Sequence, residues 1–174
     1  MNTVRDATAR WKGSRSRRTA GISGRPWRGP ADDDGPPPDE QHGARTRVVR
    51  FDAASGAVDG QYTYPLDPVS AGPRGDNGLS DLVALDDGSF LVIERGYGTH
   101  VAVRIYQAQV VEGSAEMTKT LLSDLTTTPG LMPLDNIEGI TLGPKLADGR
   151  QSVIAVSDDN FSPTQVTQFL LFAL

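Results

Sequence analysis

The chain has 174 residues, with 17 Lys and Arg against 22 Asp and Glu for a net charge of −5. This length suits one domain with a real core and is short for two. Zero cysteines exclude a disulfide scaffold, thiolate metal sites, a cysteine nucleophile and thiol redox chemistry, and two histidines, His42 and His100, are too few for a multi-histidine metal site.

The charge is divided unevenly: residues 1–50 hold 11 basic and 6 acidic residues, whereas residues 51–174 hold 6 and 16. From Met1 to Arg28, eight basic residues stand against one acid. The apolar positions there, such as Val4, Trp11, Ile22 and Trp27, follow neither a 3.6- nor a 2-residue period, so no face can be buried. Arg17-Arg18 could open a twin-arginine signal, but the following Thr19–Pro26 is not an apolar h-region, so no signal peptide is read in this chain. Gly29–Gly43 reads GPADDDGPPPDEQHG, a Pro-, Gly- and acid-rich run that cannot offset its own ordering entropy. Residues 1–44 are therefore read as a disordered leader, basic and then Pro/Asp-rich, with no nucleic-acid role assigned to it. Residues 45–174 are read as the folded part.

From Arg45 onward short strands recur. Arg47–Asp52 and Gln61–Tyr64 flank a turn and read as a hairpin. Leu79–Leu85 and Phe90–Arg95 are separated by Asp86-Asp87-Gly88, a turn signal because tight hairpins need φ > 0 at low steric cost. Val101–Val111 alternates, Met117–Leu122 follows, and the pattern restarts with Ile137–Leu142, Ser152–Ser157 and Gln168–Leu174. No sustained helical period occurs, and no stretch approaches the ~18 apolar residues of a membrane span. The fold class is all-β.

The restart is an internal repeat. Asp76-Asn77-Gly78-Leu79 is echoed by Asp135-Asn136-Ile137-Glu138, 59 residues later. Each copy reaches an Asp-Gly turn (Asp87-Gly88, Asp148-Gly149) and then an apolar strand ending in polar residues, Glu94-Arg95 and Ser157-Asp158-Asp159-Asn160. That spacing suits a four-stranded propeller blade with long loops. Counted this way, the chain supplies two outer strands near 47–64, one complete blade over 79–122 and three strands from 137 onward. The expectation is an incomplete β-propeller of about two to two and a half blades, the C-terminal portion of a larger protein, whose open blade edges invite assembly with other chains.

At these residues the chain resembles a known family. The run Asp135–Pro144, then Asp148-Gly149-Arg150, Val156–Phe161 and Thr167–Phe172, is similar to the C-terminal signature of the phytase-like esterase family. Gly78-Leu79-Ser80-Asp81 with Leu91–Gly96 resembles the preceding blade of that family. The resemblance extends from about His42 to Leu174. It implies a secreted or periplasmic bacterial β-propeller that hydrolyses esters, and a small-molecule ester or phosphoester as substrate. The candidate site comprises polar residues at strand ends and tight loops: Asn77, Asp81, Glu94, Arg95, Asp135, Asn136, Glu138, Asp158, Asp159 and Asn160. Clustered carboxylate and amide oxygens suit Ca²⁺, a hard ion that takes six to eight oxygens, so Glu138, Asp158, Asp159 and Asn136 are the candidate metal ligands. Glu94, Arg95 and Glu138 are the candidate catalytic groups, with Arg95 countering negative charge that develops on the substrate. Two other readings stay open: the acids cap turns and bond backbone amides, and Glu94-Arg95 form an internal ion pair. The rival functions are a non-catalytic propeller that binds a ligand or partner, and an inactive truncated gene product. Other motifs fail: Gln41–Arg45 lacks the leading Arg of an acid-phosphatase RHGxR motif, Gly78–Leu82 is half a nucleophile elbow, and Asp32–Gly35 lacks calcium-loop spacing.

Overall fold

The structure, a computed structural model, describes residues 9–11, 18–23, 30, 34–131 and 133–174. Eleven strands run in chain order: β1 (Ala9–Trp11), β2 (Arg18–Ser23), β3 (Ala44–Asp52), β4 (Val58–Leu66), β5 (Gly78–Ala84), β6 (Phe90–Tyr97), β7 (Val101–Val110), β8 (Met117–Asp124), β9 (Ile137–Lys145), β10 (Gln151–Ser157) and β11 (Phe169–Ala173). They form three antiparallel sheets, β1-β2-β3-β4, β5-β6-β7-β8 and β9-β10-β11, each a meander in sequence order. The all-β reading holds, and all nine strands expected from Arg45 onward are present.

The strand content exceeds the expectation at the N-terminal side. Two strands, β1 and β2, lie inside the segment read as leader, and they complete the first sheet to four strands rather than leaving two outer ones. The pairing of β2 with β3, from Arg18↔Asp52 to Ser23↔Arg47, needs only backbone groups at an open edge. A period search sees side chains and misses such a strand. Met1–Thr8 and Trp27, which that reading also covered, lie outside the described residues.

The turns follow from their residues. Gly88 and Gly149 adopt φ of 86° and 89°, the left-handed conformation that the two Asp-Gly turns were expected to need. Nothing lies within 4 Å of where a Cβ would stand on Gly149, so its requirement is purely conformational.

Successive sheets pack face to face, and the middle one is buried on both sides. Phe90 and Val92 of β6 join Val48, Tyr64, Leu66, Leu79, Leu82, Tyr106 and Met117 in one core, between the first and second sheets. Leu91 and Ile93, the alternate residues, join Val103, Ile105, Ile137, Ile140 and Val153 in another, between the second and third. Each such side chain gains roughly 1.5–3 kcal/mol on leaving water. In β5 the pairs Leu79↔Glu94 and Asp81↔Ile93 leave Ser80 as an extra, bulged residue. The bulge lets Leu79 and Leu82 share one face and turns Asp81 to the other, where its Oδ2 accepts the Ile140 amide at 2.8 Å. This bond links first strand to first strand, β5 to β9, between positions that the 59-residue repeat makes equivalent.

Candidate functional site

The candidate residues collect at the ends of β6 and β10 and the starts of β5 and β9. Neighbours along a strand point to opposite faces, so Glu94 and Arg95 separate into two interfaces.

Glu94 faces the first sheet and is 2% exposed. Its Oε1 accepts from Tyr64 Oη at 2.9 Å and from Lys119 Nζ; its Oε2 accepts from Asn77 Nδ2 at 2.8 Å and the Asp67 amide at 3.0 Å. Lys119 also reaches Asp67 Oδ1 at 2.7 Å and lies over the rings of Tyr64 and Tyr106, 5.2 and 4.2 Å from their centroids. Tyr106 donates its hydroxyl to Asp67, and Arg104 pairs with Asp124 at 3.1 Å. Burial, then the negative charge of Glu94 and the hydrogen bond to it, push the Tyr64 hydroxyl far above the ordinary phenol range; burial and the bond to Asp67 do the same for Tyr106. Burial acts to raise Asp67, but hydrogen bonds from Lys119 and Tyr106 outweigh it and hold the carboxyl below its ordinary value. The result is a compact polar network that locks β4, β6, β7 and β8 together.

Arg95 faces the third sheet, and its Nη2 donates to Glu138 Oε1 at 3.1 Å. The internal Glu94–Arg95 ion pair, one of the readings left open by the sequence, does not form; two pairs, Glu94–Lys119 and Arg95–Glu138, stand on the two sides of the sheet. The same Glu138 oxygen accepts from Asn136 Nδ2 at 2.9 Å, and that amide also approaches the Asp158 carbonyl at 3.5 Å. Both side chains of the pair stay partly open to solvent, 18% for Arg95 and 23% for Glu138. Arg95 Nε is buried without a hydrogen-bond partner among the described residues. That N–H is shielded from solvent, so a group arriving from outside meets the exposed remainder of the guanidinium beside Glu138.

The remaining acids are occupied locally. Asp158 Oδ1 accepts the Asn160 amide and Asp159 Oδ1 the Phe161 amide, both at 2.9 Å, which closes two consecutive turns with Asn160 and Phe161 at φ of 49° and 55°. Asp135 accepts from Asn136, Gln165 and Val166 and is held below its ordinary pKa by those bonds, against burial, which acts to raise it. Asn136 points its amide nitrogen, a donor, at Glu138, whereas a metal would need its oxygen. Among the described residues no three His, Cys, Asp or Glu side chains come together as metal ligands. The four candidate ligands as placed do not assemble a calcium sphere.

The structure thus brings Arg95, Glu138, Asn136 and the Asp158 backbone together and sets Glu94 and Asn77 apart from them. The sequence reading missed Lys119, Asp67, Tyr64, Tyr106 and Arg104. For Lys119 a signal existed: it stands two residues from Met117 in one strand, so the two share a face, and Met117 is buried. Away from all these groups, a cleft of about 600 Å³ lies by the β5–β6 and β7–β8 turns, lined by Arg50, Tyr62, Ser89, Gln109 and Glu112 among others. His42 is exposed and pairs with Asp39 at 3.1 Å, which leaves the phosphatase-like motif as a local turn.

No curated protein and no solved structure matches the chain. The family model for the esterase-like activity of phytase matches residues 24–161, beginning inside the segment read as leader and covering well over half of the sequence. With the two-copy repeat at Asp76 and Asp135 and the polar strand ends at Arg95 and Glu138, this establishes that the chain belongs to the phytase-like family.

Proposed function

We propose that the chain is a phytase-like hydrolase domain acting on phosphate or carboxylic esters, with Arg95 and Glu138 as its working pair. The observation that carries the reading is the Arg95 guanidinium held at 3.1 Å against Glu138, with both side chains partly open to solvent. A guanidinium so held can bind the oxyanion that grows on phosphorus or on an ester carbonyl carbon. Glu138 takes a proton from the attacking water and returns it to the leaving alcohol, so that one water is consumed and one acid and one alcohol are released. Asn136, buried at 4% exposure, fixes the orientation of the Glu138 carboxylate. No step passes through calcium, for which Asp158 and Asp159 offer only the carboxylate oxygens that their turn amides do not occupy.

The test is turnover of an aryl phosphate and an aryl ester by the purified chain, with added calcium and with a chelator. Arg95→Gln and Glu138→Gln are expected to lower kcat/KM by about 10²–10³ at unchanged far-UV circular dichroism. Undiminished turnover in both variants rejects the site. Loss of turnover on chelation rejects the metal-free route. A wild-type chain inactive under every condition would leave the second reading, a non-catalytic binding module, which the use of Glu94, Asp135, Asp158 and Asp159 in network and turn hydrogen bonds favours.

A further inference from the structure

The geometry points to β11 as a self-complementary edge through which two copies of this chain join their third sheets into one continuous sheet of six strands. The argument starts from hydrogen-bond phase. Gln151 and Leu174 exchange both backbone bonds, N to O at 3.2 and 2.9 Å, and Ser157 donates to the Gln168 carbonyl at 3.0 Å. In an antiparallel ladder the bonded pairs alternate, so Leu170 and Phe172 also turn their backbone groups toward β10. Phe169, Leu171 and Ala173 therefore turn both their N–H and C=O outward, to an edge that pairs with no other described strand. Their side chains stand on the exposed face, Phe169 at 73% and Leu171 at 70%.

A second copy fits this edge with a definite register. An antiparallel pairing of β11 with itself across a two-fold axis at Leu171 sets Leu171 opposite Leu171 and Phe169 opposite Ala173, large against small. It engages the outward groups of all three residues in both copies, which makes three bonded pairs. The other outer strands are blocked against such pairing: β4 carries Asp59 and Pro65, and β8 carries Asp124 at its end. β11 carries neither a charge nor a proline. Residues 161–174 contain no charged side chain at all in a chain of net charge −5, so two copies meet there without like-charge repulsion. Five of the exposed large apolar side chains, Phe161, Val166, Phe169, Leu171 and Leu174, lie in this same stretch, which is the concentration expected of an interaction surface.

The test is sedimentation equilibrium of the full chain from low to high micromolar concentration. A dimer is expected, and Leu171→Lys, which sets two ammonium groups opposite one another at the axis, is expected to raise its dissociation constant about tenfold or more with far-UV circular dichroism unchanged. Because the chain has no cysteine, a single Leu171→Cys substitution places two thiols at the axis, about 5.5 Å apart between Cα atoms, within disulfide range. It should give a covalent dimer in mild oxidant, whereas Leu121→Cys, on β8 and 49% exposed, should not. A wild-type monomer at every concentration, filaments instead of dimers, Leu171→Lys without effect, or equal cross-linking at both positions overturns the inference.

Discussion

Replacing Glu94 with alanine isolates the network between the first and second sheets. Of its four donors, Asn77 Nδ2 keeps the Asp67 carbonyl at 2.9 Å and Lys119 keeps the Asp67 carboxylate at 2.7 Å. The Tyr64 hydroxyl, on a side chain with no exposure, and the Asp67 amide each lose the acceptor they have in Glu94. Each buried donor left without a partner costs about 1–3 kcal/mol, and removing one member of a buried charge pair costs about 3–5 kcal/mol in all. Glu94→Ala should therefore destabilise the fold by about 3–5 kcal/mol, which for a chain of this length lowers Tm by about 6–20 °C. Glu94→Gln, which keeps the shape but brings an amide NH₂ against two donors, should lose less, about 2 kcal/mol. Urea unfolding followed by far-UV circular dichroism gives both values. A double-mutant cycle with Tyr64→Phe should show coupling above about 1 kcal/mol. If Glu94→Ala stays within about 1 kcal/mol of wild type and additive with Tyr64→Phe, the structural assignment of Glu94 is wrong.

Two other outcomes are expected. Asp67 has a folded-state pKa below its ordinary 3.8, so its contribution is complete above that value and is lost as pH falls through the lower one. Stability measured from about pH 5 down to about pH 2 should fall, and Asp67→Asn should make that fall shallower; an identical slope would contradict the assignment. Gly149→Ala, where φ is 89° and no atom lies within 4 Å of the new Cβ, should cost about 1 kcal/mol through backbone conformation alone, read as a shift in urea midpoint at constant slope.

The strands from Ala44 onward were legible because their alternation and turn chemistry are local. Asp87-Gly88 and Asp148-Gly149 mark hairpins whatever lies around them, and Phe90–Ile93 reads as an unbroken apolar run because both its faces are covered. The polar chemistry was legible only in part. Glu94, Arg95 and Glu138 were found because they end strands, but their partners were not, since Lys119 lies 25 residues from Glu94 and Glu138 lies 43 from Arg95. Such pairings depend on which sheet faces which, a property of the assembled fold that no window of sequence carries. The strands β1 and β2 escaped for the opposite reason: backbone pairing asks nothing of side-chain period.

The placement of Glu94 and Arg95 back to back on β6 also acts as a check on threading. If β6 slid by one residue, each side chain would move to the other face. A slide one way sets Arg95 at the Glu94 position beside Lys119 and drives Glu94 into the apolar place of Ile93; a slide the other way sets Glu94 at the Arg95 position beside Glu138. Either slide brings like charges together in partly or fully dehydrated surroundings, where such contacts are most unfavourable. The hydrophobic residues of β6 offer little protection against this error, because Phe90, Leu91, Val92 and Ile93 are acceptable on either side. Two adjacent charges of opposite sign thus give the central strand a direction and a phase that its oily neighbours lack.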